Sequence, residues 1–203
     1  MKCVIHGSGG VGGYYGGCLA RAGHEVFFIA RGAHLEAIQK QGLSIKSAKG
    51  DFRIETPKSG EGCDPNFYPD LVIVAVKSWQ LPEITEEIKN YCTPSTLILP
   101  LQNGADASDI LADTLGPERV LGGLTKIFSK IEAPGVINHF TGATYIGFGE
   151  YFQDPQFQNA PDSLSERCRN LEKELDSTPG IDAEAFLDIQ KELWRKMLIF
   201  VST

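Results

Sequence analysis

The sequence predicts an α/β fold, a doubly wound parallel sheet with additional mixed or antiparallel edge strands. Three observations carry this. Short, continuously apolar runs alternate with helical segments over the first 115 or so residues, as in a parallel sheet covered on both faces. A glycine-rich turn, Gly7-Ser8-Gly9-Gly10-Val11-Gly12, directly follows the first apolar run and opens a helix. After Val120 the runs are punctuated by glycines, which indicates strands of a different kind.

The elements follow in order. Cys3-Val4-Ile5 is the first strand, and residues 11–22 form a small-residue-rich helix stopped by Gly23. Val26-Phe27-Phe28-Ile29-Ala30 is a second strand buried on both faces, and residues 34–41 form a helix ended by Gly42. Residues 43–56 read as two short strands turning at Lys49-Gly50, followed by a polar loop rich in Gly and Pro. Leu71-Val72-Ile73-Val74-Ala75-Val76 is the strongest strand signal and leads through Lys77-Ser78-Trp79-Gln80 into a helix ending near Asn90. Thr96-Leu97-Ile98-Leu99 is the next strand, and a helix runs from beyond Gly104 to about Leu115. Residues 120–124, 136–140 and 144–148 are the edge strands. Residues 164–175 are an amphipathic helix broken by Pro179-Gly180.

A last helix is expected from about Ala183 and is still running at Thr203. Residues 1–182 are thus expected to form one domain, and 183–203 a helix leading into an all-helical domain beyond the chain. The apolar stripe of that helix, with Leu193, Trp194 and Leu198, calls for a covering domain or a second subunit, a homodimer included.

Composition narrows the function classes. A net charge of −7 without a basic stripe argues against nucleic acid. No apolar run reaches the roughly 18 residues of a membrane span. The start of the chain reads as a strand and not as an export signal, so a cytoplasmic location is expected. Five cysteines, odd in number and without C-x-x-C spacing, read as reduced thiols with no metal site.

The glycine turn specifies a pyrophosphate site. Gly7 permits the tight turn, Gly9 lets the backbone approach the anion, and Gly12 lets helix and strand pack closely. The helix N-terminus then presents unpaired N–H groups. All six residues of the turn, Gly7, Ser8, Gly9, Gly10, Val11 and Gly12, are counted as cofactor-binding. At the end of the second strand an NAD enzyme carries a carboxylate for the ribose 2′-hydroxyl. This chain has Ala30-Arg31-Gly32 instead. A guanidinium forks onto a 2′-phosphate, so Arg31 selects NADP(H).

Two polar residues leave the carboxyl ends of later strands, where ligands of open α/β sheets bind. Lys77 can neutralise cofactor phosphate or stand as a solvated loop lysine. Asn103 can hold ribose or carboxamide or serve as the turn residue before Gly104. Gln80 and Gln102 flank them, and Gln80 is counted as a further cofactor contact. His6 is expected to point into the sheet, and neither it nor His139 has an identifiable carboxylate partner. Lys196 lies on the apolar stripe of the last helix, three residues after Leu193 and seven after Ile189. Burial would lower its pKa and suit it to give a proton to a developing alkoxide; a snorkelling lysine fits the same position.

Taken together, these residues resemble the ketopantoate reductase (2-dehydropantoate 2-reductase) family and its Rossmann-type cofactor domain. The matching segments are the glycine turn, Arg31, Val76-Lys77-Ser78-Trp79-Gln80, Gln102-Asn103-Gly104, Pro134-Gly135-Val136-Ile137-Asn138-His139 and Trp194-Arg195-Lys196, in the family's order along nearly the whole chain. The resemblance implies NADPH-dependent reduction of a small 2-oxo acid, 2-dehydropantoate foremost, to a 2-hydroxy acid in pantothenate biosynthesis. It implies Lys196 as proton donor, Asn103 at cofactor and substrate, and Lys77 at the cofactor. Two departures stand out. Phe200 occupies the position of a substrate-binding asparagine, and the helical domain that completes the substrate pocket is not in this chain. A related reductase for another 2-oxo acid and an NADP-sensing module are the alternatives.

Overall fold

The computed structural model describes residues 1–151 and 162–201, with side chains except those of 199–201. The expectation at Phe200 concerns a side chain outside those described, and residues 202–203 also lie outside.

The first half of the chain lays down β1 (Lys2–His6), α1 (Gly10–Arg21), β2 (Glu25–Ile29), α2 (Gly32–Gln41), β3 (Leu43–Ser47), β4 (Phe52–Ile54), β5 (Lys58–Gly60), β6 (Leu71–Val74), α3 (Leu81–Lys89) and β7 (Leu97–Pro100). The second half adds α4 (Ala107–Leu115), β8 (Leu121–Ala133), β9 (Val136–Glu150), α5 (Glu166–Asp176), β10 (Asp182–Phe186) and α6 (Ile189–Val201).

The first sheet is wholly parallel, in the order β5-β2-β1-β6-β7. Its central strands are apolar on both faces because both faces are covered. Cys3, Ile5, Phe28 and Ile73 face a layer holding α1, α2 and α5. Val4, Phe27, Val72 and Val74 face α3 and α4. β1 and β6 are neighbours whose following helices leave to opposite faces, so a crevice opens beyond their carboxyl ends. This is the doubly wound, Rossmann-like arrangement that the alternating pattern predicts. β5, in the segment read as a polar loop, extends the sheet beside β2.

Two expectations need correction. The glycine-punctuated runs after Val120 are not separate edge strands of the first sheet. They merge into two long strands, β8 and β9, paired antiparallel with register shifts at Ile127/Phe128, Phe128/Ser129 and Ile131/Ala133. These belong to a second five-stranded sheet. The other edge of β9 is shared: β3 pairs with Val136–His139 and β10 with Tyr145–Gly149. The shifts re-aim side chains, which breaks a strict two-residue alternation into short pieces.

The last helix does not begin at Ala183. Ala and Glu favour helices in isolation, but residues 182–186 complete the open edge of β9, and pairing overrides propensity. The helix starts after Asp188, whose carboxylate accepts the Lys191 N–H at 2.9 Å. Its first turn is anchored by Ile189, fully buried against Gly122 and Gly149 of the β8–β9 ribbon.

Candidate functional site

The turn between β1 and α1 is stitched to β2. Gly7 sits at φ 100°, a conformation glycine adopts without strain. Ser8 donates both its N–H and its Oγ–H to the Ile29 carbonyl, each at 2.9 Å. His34 Nε2 lies 2.9 Å from the Ser8 carbonyl. Ser8, expected as a cofactor contact, is therefore buried and its donors are spent on the scaffold. Gly7 and Gly12 likewise shape the turn from beneath. Gly9, Gly10 and Val11 line a cleft of about 1350 Å³. A Cβ added at Gly9 would meet nothing within 4 Å, whereas one at Gly10 would come 2.5 Å from the carbonyl oxygen of Ser129 on β8. The first-turn N–H groups of a helix lack intrahelical acceptors, and no acidic residue sits in the first turn of α1 to compete for them.

Arg31 caps α2 at the carboxyl end of β2. Its guanidinium is exposed, lies outside the cleft wall, and has Glu83 at 4.0 Å, an exposed pair of little strength. Lys77 is exposed and lines the cleft. Gln80 does not line it. Its Oε1 accepts the Lys77 N–H at 3.1 Å and closes the short 3₁₀ turn at Ser78–Gln80. Gln102 does line it, held by its Nε2 donating to the Val76 carbonyl at 3.3 Å.

The residues fit a nicotinamide dinucleotide. Besides the open face at Gly9, Gln102 Oε1 and Ser129 Oγ are buried in the cleft wall without a hydrogen-bond partner among the described residues. Unpaired buried polar atoms are costly, and a polar ligand in the cleft would satisfy them.

At the other end of the cleft, Lys196 Nζ donates to Asn103 Oδ1 at 3.0 Å. Asn103 comes from the β7–α4 loop and Lys196 from α6, so the fold joins two residues that the sequence singled out separately. Lys196 is only 9% exposed. Burial holds its pKa below the usual lysine value of 10.5, and the nearby charge of Lys126 lowers it further.

His6 points into the sheet as expected, with Nδ1 2.9 Å from the Tyr91 hydroxyl. Its Nε2 does have a carboxylate neighbour, Glu87 at 3.8 Å, which the sequence left unidentified because the two lie 81 positions apart. His139 is buried, with Nδ1 2.9 Å from Ser47 Oγ. Neither histidine lines the cleft.

Sequence reading missed the whole wall supplied by β8, β9 and β10, in which Lys126, Ser129, Tyr145 and Glu184 take part. The signal was present as Thr125-Lys126-Ile127, a buried–exposed–half-buried alternation. No group of three potential metal ligands occurs among the described residues, and none of their helices is long and apolar enough to cross a membrane.

Comparison with known proteins agrees with this architecture. Residues 3–151 match the family model "Ketopantoate reductase PanE/ApbA". The chain is 32% identical over its full length to the "Uncharacterized oxidoreductase YkpB" of Bacillus subtilis (strain 168), spanning 63% of that protein. It superposes at TM-score 0.86 and 31% identity on the crystal structure of 2-dehydropantoate 2-reductase from Geobacter metallireducens GS-15, covering 98% of this chain and 62% of that one. At 24% identity and TM-score 0.83, the ternary structure of D-mandelate dehydrogenase with NADH and anilino(oxo)acetate shares the fold alone, over 97% of this chain and 60% of that one. A parallel sheet with a glycine-turn crevice, an asparagine–lysine pair at its far end and a family match over residues 3–151 lead to one conclusion: this chain belongs to the ketopantoate reductase family of oxidoreductases.

Proposed function

We propose that this chain is the cofactor-binding part of an NADPH-dependent reductase of 2-oxo acids, with 2-dehydropantoate as the foremost substrate and pantoate as product. The observation that carries the reading is the 3.0 Å hydrogen bond from the buried Lys196 ammonium to Asn103. When bound, the nicotinamide supplies a hydride to the carbonyl carbon. Lys196 gives a proton from Nζ to the carbonyl oxygen as negative charge builds there. Burial, then the charge of Lys126, lowers its pKa, which makes that transfer easier than from an ordinary lysine. Asn103 fixes the direction of the ammonium and holds the reacting groups in near-attack geometry. Gly9, Gly10 and Val11 hold the pyrophosphate, Lys77 offsets phosphate charge, and Arg31, at the carboxyl end of β2, receives the 2′-phosphate.

The chain spans 63% of its Bacillus relative, so the test uses the full-length protein. NADPH oxidation is followed with 2-dehydropantoate and a panel of other 2-oxo acids. Turnover of 2-dehydropantoate above the rest is expected. A different preferred acid would support the related-reductase reading, for which Phe200 in place of the family's asparagine is the motive. Absence of turnover with every acid would remove the enzyme reading and leave an NADP-sensing module.

A further inference from the structure

We propose that Lys126 is the cation that receives the carboxylate of the substrate, leaving Lys196 to the ketone oxygen. The proposal rests on the 2-oxo acid reading above and deepens it, because it makes this cleft selective for acids over neutral ketones. It starts from the placement of Lys126. On β8 the neighbouring Thr125 turns inward and bonds the Tyr15 hydroxyl at 2.6 Å, so Lys126 turns outward, into the cleft that also holds Lys196 and Asn103. Opposite it on β9 stands Tyr145, and the Lys126 ammonium lies 5.2 Å from the centre of that ring. The tyrosine is fixed in turn by donating its hydroxyl to Glu184 at 2.6 Å. A long, flexible side chain is thereby given a preferred direction.

The charge balance of the cleft points the same way. Two acidic residues line it, and each is engaged: Glu184 by Tyr145, and Glu192 by Arg195 at 2.6 Å. Lys126 has no carboxylate within 4 Å among the described residues. Of the four lysines that line the cleft, Lys77, Lys126, Lys130 and Lys196, Lys126 is the one whose charge opposes that of Lys196. Two like charges brought together in a partly buried site are disfavoured unless an anion sits between them. The chain carries a net charge of −7, so an acidic substrate gains little from the molecule as a whole and needs a local cation. The chemistry of a 2-oxo acid matches this layout. Its carboxylate carbon is bonded directly to the ketone carbon, so a group that receives the carboxylate must flank the group that protonates the ketone oxygen. Lys126 lies two residues beyond Leu124 and Lys196 three beyond Leu193, and Leu124 and Leu193 share one apolar cluster, so the two lysines line the same part of the cleft.

The test uses the full-length protein saturated with NADP⁺ and titrates it by calorimetry with oxamate, a non-reacting isostere of a 2-oxo acid, and with oxamide, its neutral counterpart. The variants are Lys126→Gln and Lys126→Arg. The proposal expects wild type to prefer oxamate, Lys126→Gln to weaken oxamate at least about tenfold while leaving oxamide and NADP⁺ unchanged, and Lys126→Arg to restore most of the loss. Unchanged oxamate affinity in Lys126→Gln would overturn it, as would equal losses for both probes. A shift of the pH–rate profile with oxamate binding intact would also overturn it, by showing that Lys126 acts on Lys196 alone. The underlying reaction fails separately: if no 2-oxo acid is turned over yet oxamate binding depends on Lys126, the anion subsite stands and the reductase reading falls.

Discussion

A Cβ on Gly12 would stand 2.8 Å from Ile5 Cγ2 and run into the carbonyl oxygen of Gly7, whereas a Cβ on Gly9 would stand in open space. One glycine is needed by the fold and the other by the ligand, so the two should separate experimentally. Gly12→Ala should cost about 1–3 kcal/mol of stability by overpacking, several degrees in Tm. Gly9→Ala should change Tm far less and abolish tight NADPH binding, because its methyl occupies the approach of the pyrophosphate. Thermal melts with and without NADPH check both, and equal destabilisation by the two changes would refute the division.

Arg31 stands alone as a cation at the end of β2, with the exposed Glu83 as its one ion-pair neighbour among the described residues. Arg31→Ala should weaken NADPH by about 10- to 100-fold, the worth of a charge-assisted fork, and NADH by less than about twofold. Isothermal titration with both cofactors measures the ratio, and parallel losses would show that this guanidinium does not read the 2′-phosphate.

The pH dependence of turnover follows from Lys196. As a proton donor it must be charged, and burial followed by the Lys126 charge places its pKa below 10.5. In the direction of 2-oxo acid reduction, kcat/KM should be level at low pH and fall as pH rises through that lowered value. Facing groups are Lys126, Glu192, Arg195 and Asn103. Lys126→Gln should move the falling limb to higher pH, because removing a like charge restores proton affinity. Lys196→Ala should lower kcat by about 100-fold or more and leave NADPH affinity intact. A falling limb that persists in Lys196→Ala would assign it to another group.

Much of this site was legible because its parts are local. The glycine turn, Arg31 and Asn103-Gly104 each follow a strand whose apolar run announces its own end. Lys196 stood out because a lysine broke an apolar stripe. Most of what escaped was non-local. Ser8 reads as part of a phosphate loop until the Ile29 carbonyl is seen to take both its donors. Gln80 reads as a ligand until it is seen to cap the Lys77 turn. Residues 182–186 are helix formers made into a strand by the vacant edge of β9, 37 positions earlier at Asp182↔Tyr145. No short window of sequence contains the partners of Ser8 or of residues 182–186, and the Lys77–Gln80 pair, though three positions apart, shows only once the turn has formed.

His6 makes the fold sensitive to acid. Burial, then the charge of Arg31, lowers its pKa from 6.5 to about 4. Glu87 at 3.8 Å acts in the opposite sense without overcoming the burial. Between those two pH values the unfolded chain takes up a proton that the folded one refuses. Stability is therefore complete above about pH 6.5 and declines as pH falls toward 4, by about 3 kcal/mol at 1.4 kcal/mol per pH unit. Denaturant melts from pH 7 to 4 measure the decline, and His6→Gln should flatten it. An identical slope in the variant would place the acid sensitivity elsewhere.

The ribbon of β8 and β9 touches both ends of the cleft. Ser129 lies over Gly10 at the anion cradle and Lys126 lies near Lys196 at the proton donor, three residues apart, which is about 10 Å of strand. The span between cradle and donor is thus gauged by one short piece of backbone. The register shifts at Ile127/Phe128 and Phe128/Ser129 set which face each side chain takes, so adding or deleting a residue there would displace Ser129 from Lys126, and this stretch should tolerate exchange of side chains better than a change of length.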